Sequence, residues 1–211
     1  MITRIQKIIL SALAAGCVIT AARAQTGSDH GYFWSLYFNG GSASISFPDA
    51  GKYAGNFQIN WNNCNDVIGG KGWNPGSFSR QVGYNIGELS GTYNSVSVYG
   101  WTTGPLVEYY ICERGSVANG TFKGSVSSDG HNYSTYEHQQ VNQPSIIGTA
   151  TFEQYLDNWS GASVGTSYTV TCSNHFNHWA NLGMKLGNFN YQILACEDFS
   201  RGSGVINATV W

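Results

Sequence analysis

The sequence of 211 residues is short of charge: aspartate, glutamate, lysine and arginine together make up 10% of it. Its ten lysines and arginines are scattered rather than clustered. A protein that binds nucleic acid needs grouped cations to displace counterions from phosphates, so nucleic acid is excluded as a partner. Proline is scarce, at 4 residues, and no Ser/Thr/Pro-rich linker divides the chain, which argues against a second binding module. Beyond the first two dozen residues nothing approaches the roughly 20 apolar residues that cross a bilayer, so no membrane partner is expected. No repeat of fixed period appears, and the cysteine spacings match no zinc ribbon or finger. Low charge combined with 14% aromatic residues is also the opposite of a disordered composition.

What is present begins with a leader. Arg4 and Lys7 precede an apolar run from Ile8 to Thr20 and the small-residue step Ala22-Arg23-Ala24. That order reads as a secretion signal over residues 1–24, cleaved after Ala24, with one domain over residues 25–211. Three of the ten cations (Arg4, Lys7, Arg23) leave with it, so seven basic residues remain against 12 acidic ones. Cys17 leaves too. The four remaining cysteines, Cys64, Cys112, Cys172 and Cys196, are an even number in an oxidising compartment, so up to two disulfides are expected. Sequons at Asn119, Asn132, Asn158 and Asn207, together with the leader, favour a secreted eukaryotic glycoprotein.

The dominant pattern is alternation of period two, which marks half-buried strands. Phe57, Ile59 and Trp61 share one face of their segment, while Gln58 and Asn60 take the other. Val96 and Val98 oppose Ser95, Ser97, Tyr99 and Trp101. Further strands are expected at 32–38, 106–112, 133–140, 149–155, 167–171, 191–196 and 204–210, with Gly69-Gly70-Lys71-Gly72 and Ser127-Ser128-Asp129-Gly130 as punctuation. One short helix is expected at about 174–182, with Ser173 as N-cap and Gly183 closing it. Many strands and one helix point to an all-β sandwich of two packed sheets. The polar face of these strands carries Tyr, Trp, Gln, Asn and Ser where Lys, Glu and Thr are usual. Such a face suits a neutral, ring-shaped, hydroxylated ligand: a sugar.

Two carboxylates stand out on it. In Pro105-Leu-Val-Glu-Tyr-Tyr-Ile-Cys-Glu113, residues Val107, Tyr109 and Ile111 share one face and Glu108 and Tyr110 the other. Glu197 follows an apolar strand and shares its face with Tyr191, Ile193 and Phe199. A charge in an uncharged strand is costly to desolvate without a partner or a task. Two glutamates on a groove-forming sheet are what glycoside hydrolysis with retention requires. Gly161-Ala-Ser-Val-Gly165 fits the elbow of serine hydrolases, but it lies in a Ser/Gly-rich loop among strands rather than between a strand and a helix, and reads as a chance match. His175 and His178 lack a third metal ligand by spacing.

These segments make the chain similar to the secreted endo-1,4-β-xylanases of glycoside hydrolase family 11, jelly-roll enzymes shaped like a partly closed right hand. The resemblance is carried, in order, by Gly69-Gly-Lys-Gly-Trp73, Ser97-Val-Tyr-Gly-Trp101, Pro105-Leu-Val-Glu-Tyr-Tyr-Ile111, Val141-Asn-Gln-Pro-Ser-Ile-Ile-Gly-Thr149, Asn174-His-Phe-Asn177 with Trp179, and Asn190-Tyr-Gln-Ile193 leading to Glu197. It implies a β-jelly-roll of two twisted antiparallel sheets and a secreted monomer acting on xylan and xylo-oligosaccharides, without metal or cofactor. It implies Glu108 as nucleophile, Glu197 as acid/base, and Asp66 as the neighbour that tunes Glu197 toward an acidic optimum. Tyr99, Tyr110 and Gln154 match residues that hold the sugar beside the nucleophile. Tyr191 is a further substrate-binding residue, and Pro144 and Ile146 match the tip of a thumb that closes over the cleft.

The chain departs from that pattern at four places. Gln140 stands where an Arg beside the nucleophile is usual, and Tyr37 where a sugar-stacking Trp is usual; both are still expected to bind substrate. Phe199 replaces a Tyr and Leu156 an aromatic residue. A sugar-holding shell edited in this way leaves a second reading, a weakly active or non-catalytic relative that binds xylan or elicits plant defence. Among the cysteines, Cys172 opens the helix and Cys196 faces away from Glu197. A helix packed on that back face would pair these two and leave Cys64 with Cys112, one of three possible connectivities.

Overall fold

The computed structural model describes residues 23–211, so most of the expected leader, with Cys17, lies outside the described residues. The elements run β1 (Arg23–Asp29), β2 (Tyr32–Asn39), β3 (Ser42–Ser46), β4 (Asn56–Asn62), β5 (Asp66–Trp73), β6 (Gln81–Gly91), β7 (Ser95–Thr103), β8 (Val107–Gly115), β9 (Thr121–Ser128), β10 (His131–Ser145), β11 (Gly148–Asn158), β12 (Ser167–Thr171), α1 (Cys172–Asn181), β13 (Asn188–Asp198) and β14 (Gly204–Val210). They form two sheets, one of nine strands in the order β1-β2-β5-β13-β7-β8-β11-β10-β9 and one of five in the order β12-β6-β14-β4-β3. Neighbours are antiparallel except β8 and β11, which run parallel with Gln154 opposite Glu108. The expected sandwich of two sheets with one helix is the observed architecture.

Alternation decides which side chains meet. The small sheet contributes Phe57, Ile59, Trp61, Val82, Tyr84, Ile86 and Ile206 to the layer between the sheets, and the large sheet adds Leu36, Val96, Val98, Tyr109, Ile111 and Leu194. On the other face of the large sheet, Tyr99, Trp101, Tyr110, Phe152, Leu156, Tyr191 and Ile193 form a second cluster. One sheet is therefore apolar on both faces, and the second apolar face is the floor of a groove. Buried polar groups also tie the layers together: Glu113 on β8 accepts hydrogen bonds from Tyr84 of the small sheet (2.7 Å) and from Tyr133 (2.9 Å).

The Gly-Gly-Lys-Gly segment expected as punctuation lies inside β5. Its glycines are required by close approach of strands: a Cβ on Gly70 would sit 1.8 Å from the Leu194 carbonyl oxygen, and one on Gly72 would sit 2.3 Å from that of Gln192. Lys71 between them is wholly buried. Its ammonium bonds to Asp29 (2.5 Å), the Ala54 carbonyl (2.7 Å) and the Asn56 carbonyl (3.1 Å), which satisfies all three N–H donors. That knot fixes β1, β4 and β5 to one another.

The helix begins two residues earlier than expected, and Ser173 is not its cap. Thr171 takes the N-cap position without capping, because its hydroxyl and its backbone N–H are both bound by Asp129 (2.7 and 2.8 Å). Gly183, at φ +82°, closes the helix as expected. The helix packs on the back of the large sheet through Phe176 and Trp179, both against Tyr109. His175 and Trp179 also reach Asp157 of β11, which is wholly buried and accepts from Thr135 (2.5 Å), His175 (2.6 Å) and Trp179 (3.0 Å).

The disulfide expectation is overturned: all four described cysteines are buried free thiols. Cys172 packs against the side chain of Gln192 at 3.3 Å. Gln192 lies four residues along β13 from Cys196, a span of about 13 Å between their backbones, and no bridge joins the two cysteines. Cys64 adjoins the start of β5 and Cys112 sits on β8, three strands and about 14 Å across the sheet. Of the four sequons, Asn119 and Asn132 are exposed, Asn132 accepting from the Ser127 hydroxyl, and the amides of Asn158 and Asn207 are engaged in hydrogen bonds within the fold. The Gly161–Gly165 segment is loop, with no strand-turn-helix around Ser163.

Removing the Asp157 carboxylate strands three buried donors at once. Asp157→Ala is expected to cost about 3–5 kcal/mol of unfolding free energy in urea titrations. A loss below about 1 kcal/mol would show that the helix does not depend on this anchor.

Candidate active site

The second apolar face lines a groove of ≈ 510 Å³ in which the strands present their alternate side chains. β8 supplies Glu108 and Tyr110, β7 Tyr99 and Trp101, β13 Tyr191, Ile193 and Glu197, and β11 Gln154. Asp66 from the start of β5 and Tyr37 from β2 stand along the same groove. The β10–β11 hairpin folds over it and brings Gln143, Pro144 and Ile146 to its wall. Every residue expected at the site from the sequence thus lines one cavity, Gln140 included.

Glu108 is nearly enclosed, at 8% exposed. Its Oε1 accepts from the Tyr99 hydroxyl (2.7 Å) and the Tyr110 hydroxyl (3.3 Å), and its Oε2 accepts from the Gln154 amide (2.7 Å). Burial raises its pKa, and these three donors pull it back toward the ionised form. Tyr99 is itself oriented by the Trp101 indole N–H at 2.6 Å. Sequence reasoning placed Trp101 on this face without assigning it a part; its position one alternation from Tyr99 was the available signal.

Glu197 is poised differently. Tyr110 is its hydrogen-bond partner at 3.2 Å, the same hydroxyl that reaches Glu108. Burial comes first among the causes that push its pKa far up, followed by the charges of Glu108 and Asp66. One phenol has one proton, so Tyr110 can donate to only one of the two carboxylates. The consistent arrangement is a protonated Glu197 donating to the Tyr110 oxygen while Tyr110 donates to ionised Glu108. Two contacts of 3.3 and 3.2 Å to a shared oxygen also confine the two carboxylate oxygens to within 6.5 Å of each other.

Asp66 is the third acid. Burial and the charge of Asp198 push it up to about 6. Its Oδ1 is buried without a hydrogen-bond partner, which favours the neutral acid further.

The four departures sort into separate kinds. Gln140 donates to the Gln154 carbonyl oxygen (3.2 Å), so it acts on Glu108 through Gln154 rather than by contact. Tyr37 lines the groove and keeps an aromatic face there. Leu156 is 2% exposed beneath the groove and packs in its floor, so it is a packing residue and not a sugar-holding one. Phe199 follows the end of β13, is 55% exposed and does not line the groove, in contrast to the expectation that it shares the face of Glu197. Phe33, Ser35, Asn74 and Asn190 also line the cavity and were not anticipated. The first two follow from the alternation of β2 with Tyr37; Asn74 lies in a loop that carries no periodic signal.

A jelly-roll-like sandwich whose open face holds two linked carboxylates among aromatics and amides is the architecture of a polysaccharide-cleaving enzyme. The family model described as glycosyl hydrolases family 11 matches residues 29–209. The chain is 48% identical over 192 residues to an ethylene-inducing xylanase of Penicillium digitatum, covering 88% of this chain and 85% of that one. It is 46% identical over 192 residues to endo-1,4-beta-xylanase 2 of Rhizopus oryzae, with the same coverage. A solved endo-1,4-beta-xylanase structure from Trichoderma reesei superposes with a TM-score of 0.71 at 41% identity, covering 90% of this chain and 99% of that one. The chain therefore belongs to glycosyl hydrolases family 11.

Because the Gln154 amide favours the charged form of Glu108, Gln154→Leu should raise the Glu108 pKa, seen as a higher midpoint pH for its carboxyl resonance in a carbon NMR titration. An unmoved or lowered midpoint would mean that Gln154 does not hold the carboxylate.

Proposed function

We propose that this chain is a secreted endo-1,4-β-xylanase, acting as a monomer on internal links of xylan and xylo-oligosaccharides by double displacement. The observation that carries the reading is the single Tyr110 hydroxyl in contact with both Glu108 and Glu197. Carboxyl groups about 5–5.5 Å apart suit attack by one and proton donation by the other, whereas inversion needs about 6.5–9.5 Å to admit water between them. The 6.5 Å ceiling on the oxygens supports the former.

In the first step ionised Glu108 attacks the anomeric carbon while Glu197 gives its proton to the departing glycosidic oxygen. The product is a glycosyl ester on Glu108, which no longer carries charge. Loss of that charge makes Glu197 more acidic and fit to take a proton from water, which then attacks the same carbon and frees Glu108. Two displacements at one carbon return its original configuration. Tyr99, Tyr110 and Gln154 hold the nucleophile and the adjacent sugar, Tyr37 and Tyr191 offer aromatic faces, and Pro144 and Ile146 close over the chain.

Reducing-sugar release from xylan against cellulose tests the assignment. Glu108→Gln should lower release by about a thousandfold or more, and proton NMR should show the β-anomer formed first by the unaltered protein. An α-anomer as first product, or near-normal activity in Glu108→Gln, would overturn it. The name of the Penicillium relative links a xylanase to ethylene induction, which gives the second reading its footing. An ethylene response that persists undiminished in Glu108→Gln would assign that effect to the protein surface rather than to catalysis.

The optimum should be acidic. Below about 6 Asp66 carries a proton that it can share with Glu197, and as pH rises through that value the proton is lost. A second carboxylate then stands beside the acid, in place of a donor. Asparagine keeps a neutral donor at every pH, so Asp66→Asn should move the basic limb of the kcat/KM profile upward, the retained donor outweighing loss of the Asp66 charge that raises the Glu197 pKa. An unmoved basic limb would remove Asp66 from the proton-sharing set.

A further inference from the structure

Beside the cleft lies a second groove of ≈ 630 Å³, which shares Phe33 and Asn74 with it and is also lined by Trp73 and Arg80. We propose that this groove receives the acidic, uronic-acid branches of xylan, with Arg80 pairing with the branch carboxylate; the proposal rests on the xylanase reading above. Arg80 is the one cation that lines either groove among the described residues. Lys71 and Lys123, by contrast, are spent on Asp29 and Glu137. Arg80 has no carboxylate partner among the described residues, yet it is held in place. Its guanidinium carbon lies 4.1 Å over the Trp73 ring, and its Nε donates to Gln192 Oε1 at 3.1 Å. Those two contacts occupy one face and one edge of the fork and leave the two terminal nitrogens without a hydrogen-bond partner among the described residues. A planar fork presented in this way matches a carboxylate with two parallel bonds.

Charge places the ligand as well. The catalytic groove carries ionised Glu108 and no cation, so an anionic branch is repelled there. The adjoining groove reverses the sign just where the cleft ends at Phe33 and Asn74. A main chain threaded past Phe33, whose ring lies 5.4 Å from that of Tyr191, can direct a branch toward Trp73 and Arg80. The sugar ring of the branch would meet aromatic and proline surface, and its carboxylate the guanidinium.

The test compares the unaltered protein with Arg80→Gln and Arg80→Lys on three substrates: glucuronoxylan, the same polymer with its carboxyls reduced to alcohols, and unbranched xylo-oligosaccharides. Arg80→Gln should lower kcat/KM on glucuronoxylan about fivefold while the two neutral substrates change less than about twofold, and Arg80→Lys should recover part of the loss. Added salt should narrow the difference between glucuronoxylan and its reduced form for the unaltered protein. Equal losses on all three substrates would assign Arg80 to supporting Trp73 alone, and an unchanged rate on glucuronoxylan would remove it from recognition. Absence of cleavage of any xylan by the unaltered protein would instead defeat the underlying xylanase reading.

Discussion

Two carboxyl groups with one oxygen of each held within 6.5 Å of the other in a buried groove cannot both carry charge without large cost, and the rest of the site resolves that conflict. Resolution comes from an unequal supply of donors. Glu108 receives Tyr99, Tyr110 and Gln154; Glu197 has the hydroxyl it shares and a weaker contribution from the Ser95 side chain. The ionised form is therefore favoured at Glu108 and the neutral form at Glu197, although burial pushes both upward. One proton, two phenols and one amide are enough to set two identical side chains in opposite protonation states. Such a pair titrates as a unit, so its behaviour belongs to the set and not to either glutamate alone.

That inequality depends on a sheet that is buried on both faces. The side facing the small sheet carries aliphatic and aromatic packing with a few fully satisfied polar knots, such as Glu113 with Tyr84 and Tyr133 and Lys71 with its three oxygens. These knots leave the registers of β5 and β8 little freedom. A slip of one residue in β8 would exchange Glu108 and Tyr110 for Val107, Tyr109 and Ile111 on the groove face, so the catalytic geometry and the core are specified by the same alternation.

Much of this was legible in the sequence because alternation is a local signal. The strands at 167–171 and 204–210 coincide with β12 and β14, and Tyr99, Glu108 and Tyr110 fall on the face their spacing assigns. β5 was read as a turn because glycine is a turn residue when only the local chain is considered; its neighbours β2 and β13, distant in sequence, are what require it. The even cysteine count invited disulfides, but parity carries no geometry, and the thiols are separated along and across strands. The relay from Gln140 through Gln154 to Glu108 was out of reach for a related reason. It depends on the antiparallel register of β10 with β11 and the parallel register of β11 with β8, neither of which a single sequence displays.

The absence of a cation at Gln140 changes how Glu108 is kept ionised. An arginine there would act by charge, which salt screens and which reaches beyond its contacts. The amide relay acts by oriented dipoles at 3.2 and 2.7 Å, which salt scarcely weakens but which fail if the geometry opens. Ionisation of Glu108 thus rests on how firmly β8, β10 and β11 hold their register. The hairpin that supplies Gln140 also supplies Pro144 and Ile146, so the segment that walls the groove is joined to the one that steadies Glu108.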